Sequence, residues 1–307
     1  MSKATEDNSP APFSIFMQKA AAASFMPIAG LFVKQPFVVA QHFQAAYPEL
    51  NTIAALKATY NRFGILGFYR GSMCHLSKIL PSNIAAVTAV DQIEEYRLKH
   101  QEIVSSHSSY LPFKIVAAGT TEAMVGAFQE SNEFFRNITK GNPAATIDLM
   151  TRIWHGLRIL PATTIRNIGG WGGILTGKET AQRVDDAYHN PVLTTATKVG
   201  FSIFTAIATT PFHVAAAQAW KHGGCDINPF VSIWRLATEG GVKRVFSCVV
   251  PRTGMVGVSV GLNMLAMEYL QRVEESTAHP PQQPQPDSKS WQEKVLQPSE
   301  NNPGRSK

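Results

Sequence analysis

Six long stretches of mainly apolar residues follow one another along the chain, each about as long as a membrane-spanning helix. They cover residues 13–43, 71–97, 112–136, 160–183, 192–220 and 246–272. A helix needs about 20 residues to cross the hydrocarbon core of a bilayer. None of the six offers that many uninterrupted apolar residues, so a sliding hydropathy window is expected to find too few spans. Such a pattern is typical of helices that line a wet cavity and turn their polar residues inward.

Shorter amphipathic segments lie between the members of each pair of stretches, at residues 52–62, 146–154 and 229–237. In the first, Ile53, Leu56 and Tyr60 share one helical face, which favours a helix lying on a membrane surface. Pro27, Pro36 and Pro211 fall inside predicted spans and are expected to kink them. Residues 1–12 form a polar arm. Residues 276–307 are rich in Pro, Gln, Ser and Asn, a composition typical of a disordered tail.

A repeat of nearly 90 residues organises these elements. Its members are three pairs of positions, each 13 residues apart: Lys78 and Asp91, Arg166 and Glu179, and Met255 and Glu268. The first members of successive pairs are 88 and 89 residues apart. A threefold recurrence predicts three copies of one structural unit. Within a helix, 13 residues span about 20 Å, so each unit places one position mid-span and one near the span's end.

The sequence FYRGSMCHLSKILPSNIAAV, residues 68–87, resembles the start of each even-numbered helix in the mitochondrial carrier family. The third repeat keeps Glu239-Gly240, Phe246 and Pro251-Arg252. The second repeat departs from the pattern, with Leu157-Arg158-Ile159 in place of Tyr-Arg-Gly and Gly169 in place of proline. The resemblance implies an all-α membrane protein of six transmembrane helices in three tandem repeats, residues 13–98, 110–185 and 192–275, with short surface helices between the spans.

In similar carriers, the mid-membrane positions of the three repeats contact the substrate, and here they are Lys78, Arg166 and Met255. The pair Arg166-Asn167 resembles members that carry keto acids and other carboxylates. Arg252 and His75, one turn earlier, extend this candidate anion site. Two alternatives stay open: the cations form structural ion pairs, although the candidate acids are expected half a span away, or His75 is an ordinary interhelical hydrogen-bonding residue.

The resemblance also implies two gates. The outer gate would use Asp91, Glu179 and Glu268, but the expected basic partners are replaced by Glu94, Gln182 and Gln271. Arg97, Arg183 and Arg272 are candidate substitutes from the next turn, and solvated helix ends are the alternative explanation of the acids.

The matrix gate follows the pattern proline, any residue, acid, two residues, base. Repeat one keeps Pro36 but has Val38 and Gln41; repeat three keeps Pro211 but has His213 and Ala216; repeat two has Ser131 but keeps Glu133 and Arg136.

The net charge, the cysteines and the glycines of the chain limit the kinds of binding site that the sequence predicts. The net charge of +6 fits basic loops at an anionic membrane face or an anion-attracting cavity. The sequence lacks the dense basic cluster with interleaved aromatic residues that is typical of a nucleic-acid-binding surface. The three cysteines have neither metal nor redox spacing. The glycine-rich run at residues 169–173 has no following lysine-serine pair, so it predicts close helix packing rather than a nucleotide loop.

These observations predict a monomeric, multi-pass carrier of a small anionic metabolite, a carboxylate, keto acid or nucleotide phosphate. The resemblance implies alternating access in the mitochondrial inner membrane, with cardiolipin as a candidate lipid partner. No enzymatic activity, cofactor or metal is predicted. A carrier-fold scaffold or adaptor without transport, including one in the mitochondrial outer membrane, is the alternative that the departures from the gate patterns favour. A microbial carrier-like effector delivered to host mitochondria is a weaker one.

Overall fold

The computed structural model describes residue 28 and residues 30–100, 110–138, 148–221 and 228–259. The chain divides into two units, Met1–Ala266 and Met267–Lys307, and every described residue belongs to the first. The predicted polar arm, Pro27, Glu268 and the predicted disordered tail lie outside the described residues.

Every regular element within the described ranges is helical, which confirms the all-α prediction. The helices are α1 (Leu31–Ala46), α2 (Thr52–Phe63), α3 (Ser72–Lys99), α4 (Leu111–Ile138), α5 (Leu149–Tyr188), α6 (Pro191–Lys221) and α7 (Pro229–Val245), with a short 3₁₀ helix at Ile65–Tyr69. A further helix, α8, is described over 249–259. Pro36 and Pro211 lie inside α1 and α6, and both helices continue through them.

The long helices pack in chain order and close on themselves. α3 packs on α4, α4 on α5 and α5 on α6, while α1 contacts both α6 and α3. One side of the core is formed by Phe134, Ile159 and Val214, from α4, α5 and α6, and all three side chains are buried. The helices therefore surround a common interior.

Beside this apolar cluster the interior also holds many polar side chains, while large apolar side chains are exposed. Buried polar side chains include Lys34, Gln35, Gln41, His42, Glu130, Glu133 and His213. Large apolar side chains are exposed on the same helices, among them Phe32, Val33, Phe113, Val116, Met124 and Phe204. Buried charges are costly unless they are paired, and exposed apolar patches mark a partner or a membrane. By length and hydropathy, however, α6 is the single helix among the described residues that qualifies as a membrane span.

The turn before α3 depends on two glycines in the left-handed half of backbone space. Gly64 has φ 66° and Gly71 has φ 74°. Residues with a Cβ rarely adopt such angles, so these glycines allow the chain to leave α2 and start α3 in a new direction.

The second repeat corrects the sequence prediction. A surface helix at 146–154 and a span at 160–183 were expected, but α5 is one helix of 40 residues. Leu157-Arg158-Ile159 replaces the Tyr-Arg-Gly turn, so no glycine with positive φ interrupts the helix. The preceding Gly156 remains helical and packs closely, because an added Cβ would lie 3.4 Å from the Cα of Phe128. The third repeat keeps a break, since Gly241 in α7 has φ 71°.

The glycine-rich run in α5 packs closely against α6, as predicted. Gly169, Gly173 and Gly177 are four residues apart, and their closest neighbours are Thr209, Thr205 and Phe201. Residues four apart lie on one helical face, so the three glycines form a groove that α6 enters.

The three predicted surface segments each begin with a side-chain cap, which at α7 is Asn228, accepting a hydrogen bond from the amide of Phe230 at 3.0 Å. Asn51 accepts a hydrogen bond from the backbone amide of Ala54 at 2.8 Å at the start of α2. Asp148 accepts one from the amide of Thr151 at the start of α5, and this hydrogen bond lowers the pKa of the Asp148 carboxyl.

We expect Asn51→Ala to destabilise the protein by about 1 kcal/mol, because an N-cap residue satisfies an otherwise unpaired amide. Thermal unfolding in detergent measures the change. Asn61→Ala is the matched control, because Asn61 is exposed in the same helix and alanine has the higher helix propensity. Equal effects of the two substitutions would contradict a capping role for Asn51.

Candidate functional site

A cavity of about 280 Å³ lies among the helices. All six predicted substrate-binding residues line it: His75, Lys78, Arg166, Asn167, Arg252 and Met255. They come from α3, α5 and α8, one helix from each predicted repeat. The structure therefore brings together residues that the sequence spacing had placed at equivalent positions.

Lys78 forms a buried ion pair across two helices. Its Nζ atom lies 3.1 Å from Oε2 of Glu133 and 3.8 Å from Oε2 of Glu130, both on α4. His75, one turn earlier on α3, places Nδ1 2.9 Å from Oε1 of Glu133. The carboxylate of Glu133 thus lies between a lysine and a histidine.

Arg166 forms a second ion pair with the same helix. Its two terminal nitrogens donate to the two carboxylate oxygens of Glu130, with Nη2 2.8 Å from Oε2. Nε and Nη2 also donate to Oδ1 of Asn167, at 3.0 and 2.8 Å, and Nη1 lies 3.1 Å from Nδ1 of His213. The guanidinium is therefore fully engaged by its neighbours.

These contacts correct one step of the sequence interpretation. The expectation that acids lie half a span from Lys78 and Arg166 is wrong, and the alternative of structural ion pairs describes both residues. Glu130 and Glu133 are three residues apart, so they share a face of α4 and reach both cations. A comparison of equivalent positions in α3, α5 and α8 does not reveal these two acids, because both lie on α4.

Two other cations in the cavity have no such partner. Arg252 donates from Nε to the Ala206 carbonyl at 3.2 Å and from Nη2 to Oγ1 of Thr209 at 2.7 Å. Neither Arg252 nor Lys34 lies within ion-pair distance of a carboxylate in the described part of the chain. Both are more than 90 % buried and both line the cavity. Lys34 and Arg252 are therefore the positive charges of the cavity that no described carboxylate neutralises.

Lys34 was missed by the sequence interpretation. It has no counterpart in a threefold set, although a lysine inside an apolar span is itself a signal of function. His42, Glu122 and His213 also line the cavity without having been named as substrate-binding residues.

The predicted outer gate is only partly described. Asp91 is exposed and forms no ion pair within the described ranges, whereas Glu179 is half-buried and has interactions. Glu94, which stands where a base was expected, contacts Arg97 on its own helix and Lys114 on α4. In the first repeat an acid therefore occupies the base position, and a lysine of the next repeat contacts it.

The predicted matrix-gate residues have other partners. Gln41 lines the cavity and its Nε2 lies 2.8 Å from Nε2 of His213. Glu133 contacts His75 and Lys78, and the backbone carbonyl of Arg136 accepts from Nε of Arg70 at 3.1 Å. The charges of Glu133 and Arg136 thus have separate surroundings, because Glu133 is buried and Arg136 is exposed.

No family model matches the chain, and no curated protein matches it. The resemblance to mitochondrial carriers rests on the motif at residues 68–87 and on the three evenly spaced mid-span positions. Membership of that family is therefore part of the proposal that follows.

Proposed function

We propose that the protein is a carrier that moves a small anionic metabolite across the mitochondrial inner membrane by alternating access. The observation that carries this proposal is the pair of buried cations, Lys34 and Arg252, which line the cavity without a carboxylate partner among the described residues. An unpaired buried cation is unfavourable, so an anion that enters the cavity gains a charge-assisted contact and relieves that cost.

Arg252 is held ready for this contact. Thr209 and the Ala206 carbonyl engage Nε and Nη2, which leaves Nη1 without a partner in the described part of the chain. The planar guanidinium suits a carboxylate or phosphate oxygen, and a fixed orientation reduces the entropy lost on binding. Lys34 supplies a second cation from α1, near the start of the chain.

Lys78 and Arg166 have a different role in this proposal. Their ion pairs with Glu133 and Glu130 fix α3 and α5 to α4 and shape the cavity wall. The buried polar side chains around the cavity, the large exposed apolar side chains and the apolar length of α6 support a membrane location.

We expect Arg252→Gln and Lys34→Gln each to lower anion uptake into liposomes by about tenfold or more, because each removes a charge-assisted contact of roughly 1.5–3 kcal/mol. Arg235→Gln and Lys57→Gln are matched controls, because both residues are exposed and neither lines the cavity. Uptake that falls equally in controls and cavity variants would contradict the assignment of the anion site.

One observation favours the second candidate function, a carrier-fold scaffold or adaptor without transport. Two of the three mid-span positions are occupied by cations that already have carboxylate partners. A folded, reconstituted protein that takes up no member of a panel of mono-, di- and trivalent anions would support this candidate over the carrier.

A further inference from the structure

The charges around the cavity nearly cancel. Four cations line it: Lys34, Lys78, Arg166 and Arg252. Three acids oppose them: Glu122 and Glu130 line the cavity, and Glu133 is paired with Lys78. With these seven groups ionised and the histidines neutral, the described part of the site carries a net charge of +1.

The contacts of His213 agree with a neutral ring. Nη1 of Arg166 is a donor, so Nδ1 of His213, 3.1 Å away, accepts and carries no proton. Nε2 of His213 then carries the proton and faces the Gln41 amide at 2.8 Å. The oxygen and nitrogen of such an amide exchange places without a change of shape, which lets Gln41 present its oxygen to this N–H.

Glu122 differs from the other two acids. Its Oε2 accepts a hydrogen bond from Nε1 of Trp171 at 2.7 Å, and it forms no ion pair with any described residue. Its carboxylate can therefore be neutralised without leaving a buried base unpaired. Glutamine at this position still offers an oxygen to Trp171.

We propose that the cavity selects a monovalent anion, with a monocarboxylate as the simplest class, and that Glu122 determines this selectivity. This inference rests on the proposed carrier function. A bound monovalent anion brings the site to zero net charge, whereas a divalent anion leaves it with a net charge of −1. Uncompensated charge is costly in a low-dielectric interior, so the monovalent anion is favoured.

Two independent substitutions raise the net charge of the site to +2. Glu122→Gln removes a negative charge. Met255→Lys adds a positive charge at the third mid-span position, where no ion pair is disturbed. Glu122→Asp and Met255→Leu are the matched controls that keep the charge unchanged.

The experiment compares uptake of pyruvate and malonate, both three-carbon acids, by the full-length protein in liposomes at pH 7. The parent protein is expected to favour pyruvate by about tenfold or more. Glu122→Gln and Met255→Lys are each expected to shift the ratio of the two rates about tenfold toward malonate, while the two controls keep the parental ratio.

The outcomes separate this inference from the proposed function. A parent protein that transports anions but prefers divalent ones overturns the selectivity and leaves the carrier function in place. An unchanged ratio in both charge variants overturns the role of Glu122 and of the site's net charge. A parent protein that transports no anion, across a wider panel of mono- and dicarboxylates, overturns the carrier function and this inference with it.

Discussion

Arg166→Ala is expected to destabilise the protein by about 3–5 kcal/mol, the largest effect of any single substitution considered for the cavity. The change leaves the carboxylate of Glu130 buried, with the Lys78 ammonium 3.8 Å away as its nearest remaining cation. It also removes the donors to Asn167 and His213. In detergent, the melting temperature should fall on the order of 10 °C, since 1 kcal/mol corresponds to about 2–4 °C in a protein approaching this size.

The double variant Arg166→Met/Glu130→Gln tests the cause of that loss. Removing both charges takes away the pair together with its desolvation cost, so the double variant should recover most of the stability lost in Arg166→Ala. Arg183→Ala, at an exposed position of the same helix, should change stability by less than about 0.5 kcal/mol. If Arg166→Ala has as small an effect as Arg183→Ala, the Arg166–Glu130 pair is not a buried structural contact.

Gly173→Ala is expected to separate α5 from α6 and to cost at least about 2 kcal/mol. An added Cβ would collide with Oγ1 of Thr205 and would lie 2.6 Å from its Cβ. Rotation of Thr205 moves the oxygen away but not the Cβ, so one of the two helices must shift. The cost exceeds the gain of about 1 kcal/mol that alanine brings over glycine within a helix.

Gly170→Ala is the matched control for this substitution. Gly170 is in the same helix, and a Cβ there meets nothing within 4 Å, so the helix-propensity gain should appear alone. Thr205→Gly in the Gly173→Ala background should restore part of the lost stability, because it removes the Cβ that causes the clash. If the two alanine variants melt at the same temperature, α5 and α6 are not in close contact at Gly173.

The sequence predicts local features of this fold well, because they depend on local residues. The bounds of α3, α4 and α6 follow from apolar periodicity, and α2 is described within one residue of its predicted end. The gathering of Lys78, Arg166 and Met255 around one cavity follows from their even spacing.

The remaining features depend on contacts between distant parts of the chain. Glu133 is 55 residues from Lys78, and no motif links them. The continuous α5 results from the missing turn glycine, because Leu157-Arg158-Ile159 stands in place of Tyr-Arg-Gly and leaves the helix uninterrupted. Lys34 has no counterpart at the equivalent positions of the other two predicted repeats, so threefold recurrence does not identify it.

The unbroken α5 makes the three repeats mechanically unequal. At 1.5 Å per residue its 40 residues extend to about 60 Å, twice the hydrocarbon thickness of a bilayer. The first and third repeats have glycine hinges between their surface segment and the following span, at Gly71 and Gly241. Among the described residues of the second predicted repeat, no glycine with positive φ precedes Arg166, and Pro161 lies inside the continuous helix instead. A displacement of the N-terminal end of α5 therefore reaches the level of Arg166 through a helix that lacks one backbone hydrogen bond, rather than through a glycine turn.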